Sequence, residues 1–358
     1  MSDLRAEFPV FERLAYLNAG TNGPVPRRAL DAVGESLRRQ AEDGRGDRRV
    51  FDVMVERITG LRTRAATLLG CDEDEVALTS STTAGVNVVV SALELGPGDD
   101  VLTSDEEHPG VLAPLAVARE GRGVTVRIAP FDELAQAVTP RTRLVACSHV
   151  SWATGRLVDA QALAAAGAPV LLDGAQGLGA VPTDVKALGC DFYAASGQKW
   201  LCGPNGVGYL YVRRERVGEL LPPIAGYPVL EDAAHPLDLK LHDNARRFEA
   251  GFPAAHDIAW AHASLDVLDE AGLGQVQTRA AGLAGRLATA LADRGARVAP
   301  RGQSTLVSWE DADPEGTVAR LRDEGFVLRY VPETPYVRAS VGAWNDESEL
   351  DRLVTAAL

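Results

Sequence analysis

Apolar residues gather into short runs from Val76 onward, and between there and Val212 the chain alternates two periods. VALT (76–79), DVLTS (100–104), VTVRIA (124–129), RLVACS (143–148), PVLLD (169–173), DFYAAS (191–196) and VGYLYV (207–212) are short and rich in β-branched and aromatic residues, so they read as strands. Helical spacing fills the intervals at 83–95, 110–120 and 159–166, with a shorter stretch at FDELAQAV. Strands that are apolar on both sides, alternating with helices, predict an α/β fold: a mainly parallel seven-stranded sheet lying between helices. Upstream, 27–43 and 50–70 read as amphipathic helices separated by the turn-like DGRGDRR, and 222–245, rich in Pro and Asp, reads as a long loop. Beyond it come helices at 254–270 and 275–294, then STLVSW, a helix near 315–324, FVLRYV, YVRASV and a closing helix, the order expected of a smaller α+β domain. The expected division is a large domain over 20–250 and a small one formed by 1–19 with 251–358.

Composition narrows the function classes. A formal net charge of −14 over 358 residues, with no run of Lys or Arg, argues against a nucleic-acid or anionic-membrane surface. The start, MSDLRAEFPVFERL, has no apolar core of a signal peptide, and no apolar run reaches the ~18 residues of a membrane span. Cys71, Cys147, Cys190 and Cys202 are scattered without zinc or disulfide spacing, so a reducing cytoplasm is expected and no metal. Of 36 basic residues only Lys186, Lys199 and Lys240 are lysines. Amine chemistry therefore has few carriers, since an arginine stays protonated and forms no useful Schiff base.

In an open α/β sheet, ligands bind beyond the carboxyl ends of the strands. The residues delivered there are Ser80-Ser81-Thr82-Thr83 after the first run, then Glu106-Glu107-His108-Pro109-Gly110, His149-Val150-Ser151-Trp152, Asp173-Gly174-Ala175-Gln176 and Gly197-Gln198-Lys199. Such a set matches the parts of pyridoxal 5′-phosphate (PLP). Its phosphate calls for a helix N-terminus with hydroxyls, which Thr82 and Thr83 supply. Its pyridine nitrogen calls for a carboxylate, Asp173. Its ring calls for a stacking partner that can also sit near a travelling proton, His108. Its phenolic oxygen calls for a donor, Gln176, and its aldehyde for a buried amine, Lys199.

At these residues the sequence resembles aminotransferase class V, the fold-type I PLP enzymes that include the cysteine desulfurases. The likeness begins at YLNAGTNGPVP (16–26) and runs through LTSSTTAGVN (78–87), EEHPGV (106–111) and SHVSWATG (148–155). It is densest in LLDGAQGLGAVPTDV (171–185) and SGQKWLCGPNGVGYLYVR (196–213), and it closes with RRFEAGFP (246–253) and YVRASVGAWNDESELDRL (336–353). The resemblance implies that Lys199 holds PLP as a Schiff base and later moves the α-proton, with Asp173 and His108 as its catalytic companions. It implies that Ser196 and Gln198 join Thr82 and Thr83 at the phosphate, and that the segment around Phe252 reaches the phosphate of a neighbouring subunit in a homodimer with shared active sites. The substrate is then an amino acid, its α-carboxylate bound by Arg338, with Asn18 to Gly20 and Trp152 lining the same pocket.

Departures from the family pattern sharpen the expectation. Gln198 stands where many relatives have His, Phe252 where desulfurases place a Thr, and Trp152 where they commonly have Asn. No cysteine occurs between Phe326 and Arg338, the segment in which a desulfurase carries its sulfur-accepting thiol. The pattern is most similar to the cystine/cysteine C–S lyase branch, in which two arginines, here Arg329 and Arg338, grip both ends of a dicarboxylate. The expected reaction is α,β-elimination, with His108 or a water as acid. An aminotransferase or epimerase on the same scaffold is the alternative, and a PLP-binding regulator without turnover a remote one.

Overall fold

A computed structural model describes residues 2–358. The strands are β1 (Ala15–Tyr16), β2 (Val76–Thr79), β3 (Asp100–Ser104), β4 (Thr125–Ala129), β5 (Thr142–Ser148), β6 (Val170–Asp173), β7 (Phe192–Ser196), β8 (Gly208–Val212), β9 (Leu306–Glu310), β10 (Phe326–Val327), β11 (Arg329–Tyr330) and β12 (Tyr336–Ser340). Seven of them form the large sheet in the order β2-β8-β7-β6-β5-β3-β4. All pairings are parallel except those of β8, which runs antiparallel to both β2 and β7.

The two-residue period of these strands accounts for the layers. Leu78, Val145, Cys147, Leu172, Tyr193 and Tyr209 enter one apolar core, whereas Ala77, Leu144, Ala146, Leu171, Phe192 and Leu210 enter the core on the opposite face. Except in the edge strand β4, where Thr125 and Ile128 are exposed and Arg127 is half-buried, both faces are thereby removed from water, and the exposed polar groups of the strands lie toward their ends. The helices Arg27–Glu42 and Arg48–Leu69 precede β2, as their spacing predicts, and Thr82–Ala92 and Pro109–Arg122 follow β2 and β3.

A third core lies under the small sheet, order β11-β12-β9, and combines Ala15 and Leu17 with Leu287, Leu291, Trp309, Val337 and Leu353. The run FVLRYV is not one strand. Phe326–Val327 pairs in parallel with β1, and after Leu328 the chain changes partner so that Arg329–Tyr330 pairs with β12. The helix Ala255–Ala271 buries Ile258, Leu265 and Leu268 in the core of the large sheet, while the next helix, Leu273–Asp293, has Val276 in that core and Leu287 in the small one. The segment 222–245 is a loop broken by single turns at Tyr227–Val229 and Pro236–Asp238. Among the described residues, no helix is long and apolar enough to cross a membrane.

Candidate active site

Lys199 lies in the loop between β7 and β8, and that loop is tightly built. The Cys202 N–H donates to the Lys199 carbonyl at 3.1 Å, and the Gly203 N–H to the Gly197 carbonyl at 2.9 Å. The segment from β1 closes over it: the Gly23 N–H donates to the Gln198 carbonyl at 2.7 Å, and a Cβ on Gly23 would lie 2.1 Å from the Lys199 carbonyl oxygen, so only glycine fits. Burial lowers the Lys199 amine to about 8; Asp173 opposes this, and the charges of Arg338 and Arg329 add to it. The other two lysines are ion-paired at the surface, Lys186 with Glu75 and Lys240 with Glu231.

Asp173 ends β6, buried, and its Oδ1 accepts from the Ala175 N–H at 2.8 Å. Burial raises its pKa, against the pull of Lys199 and of that N–H. Gln176 is locked at both ends of its amide. Its Oε1 accepts from Trp200 Nε1 at 3.0 Å, and its Nε2 donates to the Gly20 carbonyl at 2.8 Å. The indole N–H is donor-only, which fixes the amide orientation and leaves one N–H of Nε2 for a ligand.

His108 caps the helix Pro109–Arg122, its Nδ1 accepting from the Gly110 N–H at 2.9 Å. The ring proton therefore sits on Nε2. Burial, helped by Lys199, Arg329 and Arg338, lowers its pKa to about 4, so the ring is neutral at neutral pH. Trp152 meets it edge-on, with centroids 4.9 Å apart, and the Arg329 guanidinium lies 5.5 Å from the Trp152 ring centroid.

At the phosphate end the cap of the helix Thr82–Ala92 is Ser81, which accepts from the Ala84 N–H at 3.1 Å, and not either threonine. Thr82 opens the helix with a buried hydroxyl that has no partner among the described residues, and the buried Ser196 hydroxyl at the end of β7 has none among them either. Thr83 is exposed on this face.

Arg338 is fully buried on β12, and Arg329 stands directly opposite it on β11. Like charges in that position repel. Arg338 Nη1 donates to the Trp152 carbonyl, its Nε and Nη2 have no partner, and neither arginine forms an ion pair among the described residues. Burial and Arg329 lower the Arg338 pKa to about 9. Gly20 packs between these groups: a Cβ there would lie 2.7 Å from Ser340 Oγ, 2.9 Å from Gln176 Oε1 and 3.2 Å from Arg338 Nη2. Asn18 bridges to Ser340 and accepts from Thr21 Oγ1 at 2.8 Å. Phe252 is not packed with these groups; its half-exposed ring rests on Phe51 and Tyr227.

Buried polar atoms without partners are costly, and here they mark where a ligand completes the structure. Orphaned hydroxyls at a helix N-terminus, a buried carboxylate, an amide with one free N–H and an amine near 8 fit PLP, and the orphaned edge of Arg338 fits a carboxylate. Sequence reasoning missed Ser340 and Trp200, whereas Gly20, expected with Asn18 to line the pocket, lies beside Gln176 and Arg338. The Trp following Lys199 was visible in S-x-x-K-W, but its indole contact with Gln176 required the fold.

The probable cysteine desulfurase of Methanothermobacter thermautotrophicus is 31% identical over 288 residues, 77% of this chain and 72% of that protein. Among solved structures, a mutant of C-DES with glycine covalently linked to its PLP cofactor matches with a TM-score of 0.94 at 27% identity, covering 99% of this chain and 98% of that one. The complex between the cystine C–S lyase C-DES and its reaction product cysteine persulfide matches at 0.93, again at 27% identity, covering 98% of each chain. Residues 15–353 match the model of aminotransferase class V, and the chain belongs to that family.

Proposed function

We propose that this chain is a PLP-dependent lyase that cleaves the C–S bond of cystine- or cysteine-like amino acids by α,β-elimination. The observation that carries the reading is the buried Arg338, with two unpartnered guanidinium atoms, facing Arg329 and coupled to a lysine whose amine is lowered to about 8. A charge left this way asks for an anion, and an amino acid brings a carboxylate.

Thr82 and Ser196, with Thr83 and Gln198, would hold the phosphate of PLP, Asp173 its pyridine nitrogen, Gln176 its phenolic oxygen, and His108 the face of its ring. When bound, PLP supplies an aldehyde that joins an amine and a ring that takes up the electrons left at the substrate Cα. Lys199 Nζ, lowered by burial, accepts the Cα proton, which leaves the site with the products and does not go back to Cα. Arg338 clamps the α-carboxylate, and Arg329 is placed for a second anion at the far end of the substrate. As the Cβ–S bond breaks, the sulfur departs as a thiolate or persulfide anion and needs no proton at that moment. This revises the expectation for His108: held neutral with Nδ1 engaged, it offers the leaving sulfur an Nε2–H hydrogen bond and is not an imidazolium acid. The carbon skeleton leaves as 2-aminoacrylate, which hydrolyses to pyruvate and ammonium.

The cysteines support elimination over a desulfurase reaction. Cys147, Cys190 and Cys202 are buried, and burial pushes Cys71 and Cys190 up to about 12. Incubating the holoenzyme with L-cystine should yield pyruvate and persulfide sulfur in equal amounts. Transfer of the amino group to an added α-keto acid, with no pyruvate formed, would overturn the assignment in favour of an aminotransferase.

We further read the chain as a cytoplasmic homodimer, supported by its four free thiols and by the exposed apolar side chains Leu221, Ile224, Tyr227, Leu237 and Phe252, with Phe252 toward the neighbouring subunit's phosphate site. Light scattering of the purified protein tests this. We read the boundary between the domains, expected at 251, as falling within Leu273–Asp293, a reading supported by the packing of Ala255–Ala271 on the large core.

A further inference from the structure

Glu106 precedes His108 by two residues and is used by no step above, yet its carboxylate is among the most heavily engaged near the site. Oε2 accepts from Thr154 Oγ1 at 2.7 Å and from Ser151 Oγ, and Oε1 accepts from Arg156 Nη2. Arg156 is itself anchored, pairing with Asp132 and lying 5.5 Å from the Phe131 ring centroid. One carboxylate thus ties three residues of a single turn to the segment that carries His108. The turn is closed on itself, the Ser151 N–H donating to the Arg156 carbonyl at 2.8 Å and the Gly155 N–H to the Ser151 carbonyl at 2.9 Å.

Within that turn is Trp152, whose ring meets His108 and whose carbonyl is the only hydrogen-bond partner of the Arg338 side chain among the described residues. We propose that Glu106 is a positioning residue for substrate recognition: by clasping the turn 151–156 it fixes the Trp152 carbonyl, and through it aims the free Nε and Nη2 edge of Arg338 at the substrate carboxylate. A guanidinium held at one corner can present a carboxylate fork in register only if that corner does not move. The inference rests on the reading of Arg338 as the carboxylate site and not on which bond is cleaved.

The test titrates PLP-loaded enzyme with glycine, which carries the carboxylate but has no β-substituent to eliminate, and follows the visible absorbance. Glu106→Ala should weaken glycine about tenfold while PLP content stays near wild type, with a melting temperature lowered by the stranded Ser151 and Thr154 hydroxyls. Glu106→Gln, which keeps an acceptor for the two hydroxyls, should lose less. In an Arg338→Leu background Glu106→Ala should add nothing, because its effect runs through Arg338. Unchanged glycine affinity in Glu106→Ala, an equal loss in the Arg338→Leu background, or a loss explained by departed PLP overturns the proposal. Should Glu106→Ala not fold, Ser151→Ala with Thr154→Val carries the same test. Absence of cystine cleavage alongside the expected glycine results would sink the lyase assignment and leave this inference standing, whereas wild-type glycine binding by Arg338→Leu would sink the inference together with the carboxylate site.

Discussion

On the large-sheet wall of the site, Gln176 is held by Trp200 and Gly20, Asp173 by the Ala175 N–H, and His108 by the Gly110 N–H. On the small-sheet wall, Arg338 and Arg329 face each other across two strands, and two atoms of Arg338 have no partner among the described residues. Apart from the Thr82 and Ser196 hydroxyls at its phosphate end, the first wall is completed by the protein itself and so is preorganised before anything binds. The second is left electrostatically open, and a buried charge without a counterion costs several kcal/mol of folding stability. On the proposed reading that cost is a functional signal: the fold keeps a destabilising arrangement where the substrate carboxylate would neutralise it.

The contrast can be broken at its centre by Lys199→Ala, which should reduce pyruvate formation from cystine at least about a thousandfold while the protein remains folded. Next in size, Arg338→Leu should lower kcat/KM about a hundredfold, yet raise the melting temperature of the cofactor-free protein, because it removes the unpaired charge. The matching change on the other wall, Gln176→Leu, should do the opposite to stability. It strands the Trp200 indole N–H and the Gly20 carbonyl, at a cost of about 1–3 kcal/mol by denaturant unfolding. Equal signs for the two variants would abolish the distinction between the walls.

Smaller shifts sharpen the picture. The rate at which cofactor-free protein captures PLP should rise with pH and level off above about 8, since only the neutral Lys199 amine reacts. Arg338→Leu should move that inflection up and Asp173→Asn should move it down, each removing a charge that now acts the other way. Last, burial holds His149 near 4, well below the ordinary histidine value of about 6.5. Its folded pKa is depressed, so the stability it contributes is complete above about 6.5 and is lost as pH falls toward 4. Wild type should lose a few degrees of melting temperature between neutral pH and about pH 5, and His149→Gln should lose less.

Much of the site was legible because its residues stand at the ends of strands whose period is a local property. VALT, PVLLD and DFYAAS could be placed from spacing, and with them Thr82, Asp173, Gln176 and Lys199 were brought to one edge. What escaped was how those groups are held. The Gln176 clasp joins three distant segments, and Ser81 took the cap because the first helical turn began one residue earlier than its apolar spacing indicated.

The sequence alone determined the element types, the two-faced burial of the large sheet and the chemistry brought to its edge, because periodicity and residue type act over a few neighbouring positions. Only the tertiary structure decided that β8 runs against its neighbours, that FVLRYV serves two sheets, and that Arg329 faces Arg338 with neither ion-paired among the described residues. Those outcomes depend on which distant segments pack together, and burial and unpaired charge exist only once they have.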